Sequence, residues 1–225
     1  MNNGQWWLRI FQIVGLVLAL GVNMSAEAGL FGGSKSWKEE VLLHDGQKII
    51  IERYFNLALP NFENRERKEL DETITFTPPG WNKKISWNTE FRDDVPTLNS
   101  LGPLLLDIVG GIPYIATSPA GCISYNKWQR PNPPYIFFKY DNGEWKRIPL
   151  EEFPAILVHS NLMSTPASDT LKSYYTAEQV KQQMQDRSIA AEATIIYRKP
   201  IVTWLERCPN LVPVKGGGWQ TPGSY

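Results

Sequence analysis

The chain has 225 residues, with 23 basic side chains set against 23 acidic ones and 42% hydrophobic residues. A net charge of zero argues against nucleic acid and anionic membrane surfaces as partners, because both call for a basic excess that displaces counterions. The length suits one well-cored domain.

Residues 1–28 have the makeup of a cleavable secretory signal. Arg9 and the amino terminus supply positive charge, Ile10 to Val22 form a 13-residue apolar run, and Ala26-Glu27-Ala28 is a small-x-small site. Cleavage there removes one base, Arg9, and one acid, Glu27, so the charge balance stays at zero. The alternative is an inner-membrane anchor over residues 6–22, which reaches roughly the 17-residue lower limit for a spanning helix. The expected location is the periplasm or cell envelope, with membrane contact only through this segment if it is retained. Gly32-Gly33-Ser34-Lys35-Ser36 lacks the spacing and the preceding strand of a phosphate loop and reads as the soft start of the mature chain.

Residues 41–54 place apolar and β-branched side chains on both sides of Asp45-Gly46, a dipeptide that accepts the positive φ angles of a type I′ turn. Glu72 to Thr77 and Lys84 to Phe91 alternate with period two, which predicts strands with one wet face. Gly110-Gly111 separates a further pair of strand candidates. Pro113 lacks the amide hydrogen of a ladder and predicts an edge strand or a strand that begins after a bulge. Asn142-Gly143 repeats the hairpin device. Strands near 103–109, 112–118, 134–141 and 144–149 are expected to form an up-and-down meander of four. Thr176 as a cap, with Gln179 three residues on, predicts a helix over 177–188 that carries Val180 and Met184 on one face. The fold class is therefore mainly β (α+β): antiparallel hairpins, a four-strand meander and one flanking helix. A single β-rich domain is expected over 29–212, followed by a flexible tail over 213–225 that is rich in glycine and polar residues.

Cys122 and Cys208 both lie in the exported part. An oxidising compartment favours a disulfide between them. Two separately buried thiols, or a reactive thiol beside a histidine, are the alternatives, and neither has a supporting spacing.

No metal, cofactor or catalytic residue is assigned. His44 and His159 are far apart in sequence and neither has a second ligand at metal-binding spacing. His44 reads as a solvent-facing strand end. Ser160 follows His159, but a triad is defined by geometry and not by adjacency. The pairs Asp93-Asp94 and Glu151-Glu152 read as solvated charges, since adjacent carboxylates do not face each other across a substrate. Nucleophile-elbow, zincin-helix, C-x-x-C and dinucleotide-loop motifs are missing from the sequence.

The segment Cys122 to Tyr135 concentrates aromatic, basic and proline residues between two predicted strands. Tyr125, Lys127, Trp128, Arg130 and Tyr135 are the candidate binding residues, because aromatic and arginine side chains on a stiff loop commonly anchor interfaces. Against this stands the option that Trp128 and Tyr135 fold back to cover the end of a sheet, since a tryptophan-rich domain must commit most of its indoles to its core. Trp81, Trp87, Trp128 and Trp145 also raise the possibility of stacking on a glycan.

The stretch Cys-Ile-Ser-Tyr-Asn-Lys-Trp-Gln-Arg-Pro-Asn-Pro-Pro-Tyr-Ile-Phe-Phe-Lys-Tyr from Cys122, the later Gly143-Glu144-Trp145 and Ile148 to Pro154, and the opening Trp37 to Gly46 resemble a group of exported proteins of Gram-negative bacteria with no assigned activity. That resemblance implies a periplasmic or envelope setting and supplies no functional residue. The expectation that results is a non-enzymatic envelope protein that binds another protein or a glycan through the loop around Trp128. The alternative is an envelope hydrolase with a site near His159.

Overall fold

The computed structural model describes residues 33–60, 67–166, 169–186, 190–202 and 206–223. The expected signal segment lies outside them. The described chain is mostly β with few helices, and its sheets are antiparallel apart from one short parallel pairing.

Strands β1 (Gly33–Leu42), β2 (Lys48–Leu57), β3 (Glu69–Phe76) and β4 (Ile85–Glu90) form a continuous antiparallel meander. The first hairpin turns at Asp45-Gly46, where Gly46 has φ 85°, a conformation that costs glycine nothing. The second sheet is the expected meander of four, β5 (Leu101–Val109), β6 (Ile112–Pro119), β7 (Ile136–Asp141) and β8 (Glu144–Ile148), with its tight turns at Gly110-Gly111 and Asn142-Gly143. A short helix α1 (Cys122–Lys127) links β6 to β7. After the 3₁₀ turn Leu150–Glu152 come β9 (Tyr174–Tyr175), α2 (Ala177–Asp186), α3 (Ala191–Thr194), β10 (Val212–Pro213) and β11 (Trp219–Gln220). β9 joins the free side of β1 in parallel, so the first sheet runs β4-β3-β2-β1-β9.

Period-two burial on the first sheet aims Val41, Ile51, Ile74 and Trp87 at Leu106, Ile108, Ile115 and Ile136 of the second. Each such side chain contributes about 1.5–3 kcal/mol when it leaves water. The remainder of the same face, Trp37, Phe55 and Leu57, is covered instead by Met163, Tyr175 and Val180. The second sheet is buried on its far side as well, where Leu105, Tyr114 and Phe137 meet Phe153, Leu157 and Ile196. Burial on both faces accounts for the near-continuous apolar run of β5.

Four expectations change. β1 starts at Gly33, well before residue 41, and so absorbs the supposed soft start; its inward positions include Glu39, which breaks the apolar alternation. Pro113 is not on an edge strand, because β6 lies between β5 and β7; it pairs only with Ile108, at a point that β7 does not reach. The bulge falls instead at Pro103–Leu105 of β5. Residues 212–220 are no loose tail but a hairpin, tied down by Trp219 Nε1 donating to the Asp93 carbonyl at 2.7 Å. α2 carries the expected capping box: Gln179 N–H donates to Thr176 Oγ1 at 3.3 Å and Thr176 N–H to Gln179 Oε1 at 3.0 Å. It runs to Asp186, and residues 187–189 of the expected span lie outside the described residues.

Cys122 and Cys208 form a disulfide across a sequence separation of 86. The chain-entropy account values such a closure at up to about 4–5 kcal/mol.

Candidate functional site

The residues singled out on the Cys122–Tyr135 segment are brought together, but turned inward. Tyr125, Lys127, Trp128 and Tyr135 are all buried. Trp128 Nε1 donates to the Asn99 carbonyl at 2.9 Å, and its ring meets Phe138 edge-on. Lys127 Nζ donates to Asn99 Oδ1 at 2.8 Å and to the Arg92 carbonyl, and burial pulls its ammonium below the usual lysine range. Arg130 donates to the carbonyls of Cys208 and Pro209 at 2.9 Å and lies over the Tyr125 ring. The Tyr135 hydroxyl lies 2.9 Å from the carbonyls of both Glu192 and Ile195, and burial pushes its pKa up to about 12. The segment is thus the clasp between loop 91–100, the second sheet and the disulfide-linked chain beyond Glu206. Its anchors are spent on the fold and offer no projecting surface. Of the four tryptophans considered for a glycan, Trp87 and Trp128 are buried, Trp145 bonds the Ser86 carbonyl, and Trp81 is 39% exposed with its edge against Tyr140.

The polar groups that do converge lie elsewhere, in a cleft of about 660 Å³. Its base is the end of β1 and the middle of β5, one wall is residues 156–161, and the other is α2. Both histidines reach it, together with Asp107 and Ser160. Ala177, Val180, Lys181, Met184 and Gln185 line it at the i, i+3, i+4, i+7, i+8 spacing of a single helix face.

Asp107 is the unexpected member. It is buried on β5, where it accepts the His44 amide at 2.9 Å, His44 Nδ1 at 2.7 Å and the Ile108 amide at 2.7 Å. A carboxylate only accepts, so the His44 ring hydrogen sits on Nδ1 and Nε2 is the nitrogen open to a ligand. His44 is therefore no free strand end: its side chain is 21% exposed and joined to a residue 63 positions away.

Asn161 holds the wall beside this pair. Its amide nitrogen donates to the carbonyls of Leu42 and Leu106, and its oxygen accepts the Leu106 amide, so it clips the neighbours of His44 and Asp107 together. Ser160 N–H donates to Thr194 and Ile196 N–H to Val158, an antiparallel contact that fixes residues 158–160 against 194–196. The Ser160 hydroxyl is buried with no hydrogen-bond partner among the described residues. The His159 side chain is exposed on the lining, and among the described residues it meets neither a carboxylate nor a hydroxyl.

Glu40 closes the other end. It accepts the Ala177 amide at 3.0 Å, the Tyr174 hydroxyl at 2.9 Å and Lys48 at 3.2 Å, and the Ala177 bond leads in holding its carboxyl below the usual range. That contact fixes the first turn of α2 to β1. Among the described residues no group of three or more His, Cys, Asp or Glu gathers to hold a metal, and no helix is long and apolar enough to cross a membrane. Asp93, Asp94, Glu151 and Glu152 are exposed.

No family model matches the chain, and no curated protein or solved structure matches it.

Sequence reasoning missed Asp107 and Asn161. Asp107 left a signal: it is a lone acid inside Leu-Leu-Leu-Asp-Ile-Val, a strand otherwise destined for the core. Asn161 left none, since its role depends on two strands that meet only in the fold.

Proposed function

We propose that this is an exported, non-enzymatic binding protein of the periplasm or cell envelope, and that its site is the His44–Asp107 cleft and not the Trp128 loop. The observation that carries the reading is convergence: an apolar cleft of about 660 Å³ gathers a fixed His–Asp pair and a buried hydroxyl with no partner among the described residues. Predominantly apolar pockets of roughly 300–1,000 Å³ with a few oriented polar groups are the usual form of small-ligand sites. Leu42, Ile156, Val158 and Met184 suit an apolar body, while His44 Nε2 gives it an orientation. The disulfide and the resemblance to exported Gram-negative proteins support the location. Amide NMR during titration with dodecanol tests the site. Shifts concentrated at 42–44, 156–161 and 177–185 support it; shifts around Pro131 to Phe137, or none, overturn it.

One observation favours a second reading, an ester hydrolase. The Ser160 hydroxyl lies on the same cleft as an oriented histidine. In that chemistry Ser160 Oγ would bond to the acyl carbon as its proton passes to His44 Nε2, which returns the proton to the departing alkoxide. Covalent labelling by a fluorophosphonate that disappears in Ser160→Ala would establish this reading, and a chain that stays unlabelled would remove it.

A further inference from the structure

We infer that the cleft selects a single-chain amphiphile with an anionic head, a step that rests on the binding reading above. The argument is a charge count over the lining. Its two acids are already occupied. Glu40 accepts the Ala177 amide, the Tyr174 hydroxyl and the Lys48 ammonium. Asp107 accepts two hydrogens from His44 and one from Ile108. Neither acid has unmet demand for a cation.

The bases are not matched in this way. Lys181 and His159 both lie on the lining with exposed side chains, and neither has an ion-pair partner among the described residues. Lys48, the base that does serve this end, is already shared between Glu40 and Glu178. The rim of the cleft thus carries the Lys181 ammonium, with the His159 imidazole as a further donor, and no carboxylate among the described residues pairs with either. Next to that rim stand apolar side chains in water, Ile156 at 61% exposure and Val158 at 36%. An occupant that satisfies both has an alkyl body lying along Leu42, Ile156 and Met184 and a negative group beside Lys181 and His159. A neutral alcohol answers the walls alone, and a cationic amphiphile is repelled at the rim.

Calorimetric titration of the full exported chain, below micelle-forming concentrations, tests this with dodecanoate, dodecanol and dodecyltrimethylammonium, and with lauroyl-lysophosphatidylglycerol to distinguish a free acid from a lipid-borne anion. Either anion is expected to bind about threefold to fivefold more tightly than the alcohol, the gain that a partly exposed charge pair supplies, and the cation more weakly than both. Lys181→Glu with His159→Glu should abolish that preference, read as the ratio of dodecanoate to dodecanol affinity within the same variant. Lys181→Gln with His159→Gln, checked by its thermal midpoint, should give an intermediate loss. Equal affinity for dodecanoate and dodecanol, or an anion preference that survives the charge reversal, overturns the head-group inference while the cleft reading stands. If none of the four probes binds, the cleft reading falls with it.

Discussion

Arg53 donates from Nε to Glu72 Oε1 at 2.7 Å with both side chains almost wholly out of water. The same guanidinium donates to the Met163 carbonyl at 2.5 Å, lies 3.8 Å from Glu39 and covers the Trp37 ring. Glu39 accepts Trp37 Nε1 at 2.6 Å, so three strands and the 163 segment share one ionic cluster within an apolar face.

Removing the cation from this cluster leaves two buried carboxylates with no counter-ion. Arg53→Met is expected to cost about 3–5 kcal/mol, and adding Glu39→Leu and Glu72→Leu to recover more than half of it, because replacing a whole buried charge set is far cheaper than breaking it. Urea unfolding midpoints of the single and triple variants check both statements.

Burial holds the Glu39 carboxyl above its usual range, against the opposing pull of Arg53 and Trp37. A carboxyl that binds its proton more tightly in the folded chain stabilises the fold in acid. That contribution is complete below the unfolded value of about 4.3 and is lost as pH rises through the folded one. The stability of the unaltered protein relative to Glu39→Gln should therefore grow as pH falls from 7 toward the low fours. A difference that is flat or shrinks over this window would show that Glu39 stays ionised throughout.

Trp128→Ala is expected to cost about 3–5 kcal/mol, the range for deleting a buried indole, and to strip the Asn99 carbonyl of its donor. Dodecanol shifts at the cleft should persist in the folded fraction. A variant of unaltered thermal midpoint that loses a binding partner would restore the loop as an interaction surface.

Much of the architecture is written in short-range signals. Asp45-Gly46, Gly110-Gly111 and Asn142-Gly143 each fix a hairpin because positive φ is a local property. Thr176 and Gln179 mark the start of α2 for the same reason. The candidate site was not legible, since His44 and Asp107 acquire their meaning only when β1 is laid across β5. The inward charges Glu39, Arg53 and Glu72 hid the alternation of the first sheet, as their burial depends on one another. The loop around Trp128 misled in the opposite sense: an aromatic and basic composition looks the same whether it faces a partner or its own core.

Asn161→Ala should orphan the Leu106 amide and carbonyl along with the Leu42 carbonyl, at about 1–3 kcal/mol. Faster hydrogen exchange at the Leu106 amide, with weaker dodecanol binding, is the expected signature. Unchanged exchange would mean that β5 needs no such clip.

The two-residue partner of β1 has a consequence for how the molecule comes to exist. The Tyr174 hydroxyl reaches Glu40 across 134 positions, and Lys38 N–H donates to Ser173. Until that late segment arrives, the outermost row of amides on β1 is bare, a template to which a neighbouring chain can add. Closure across such a distance is slow compared with a hairpin. Newly made chains therefore pass through an interval in which crowding favours tangling, and a version ending before Ser173 would spend its whole life there.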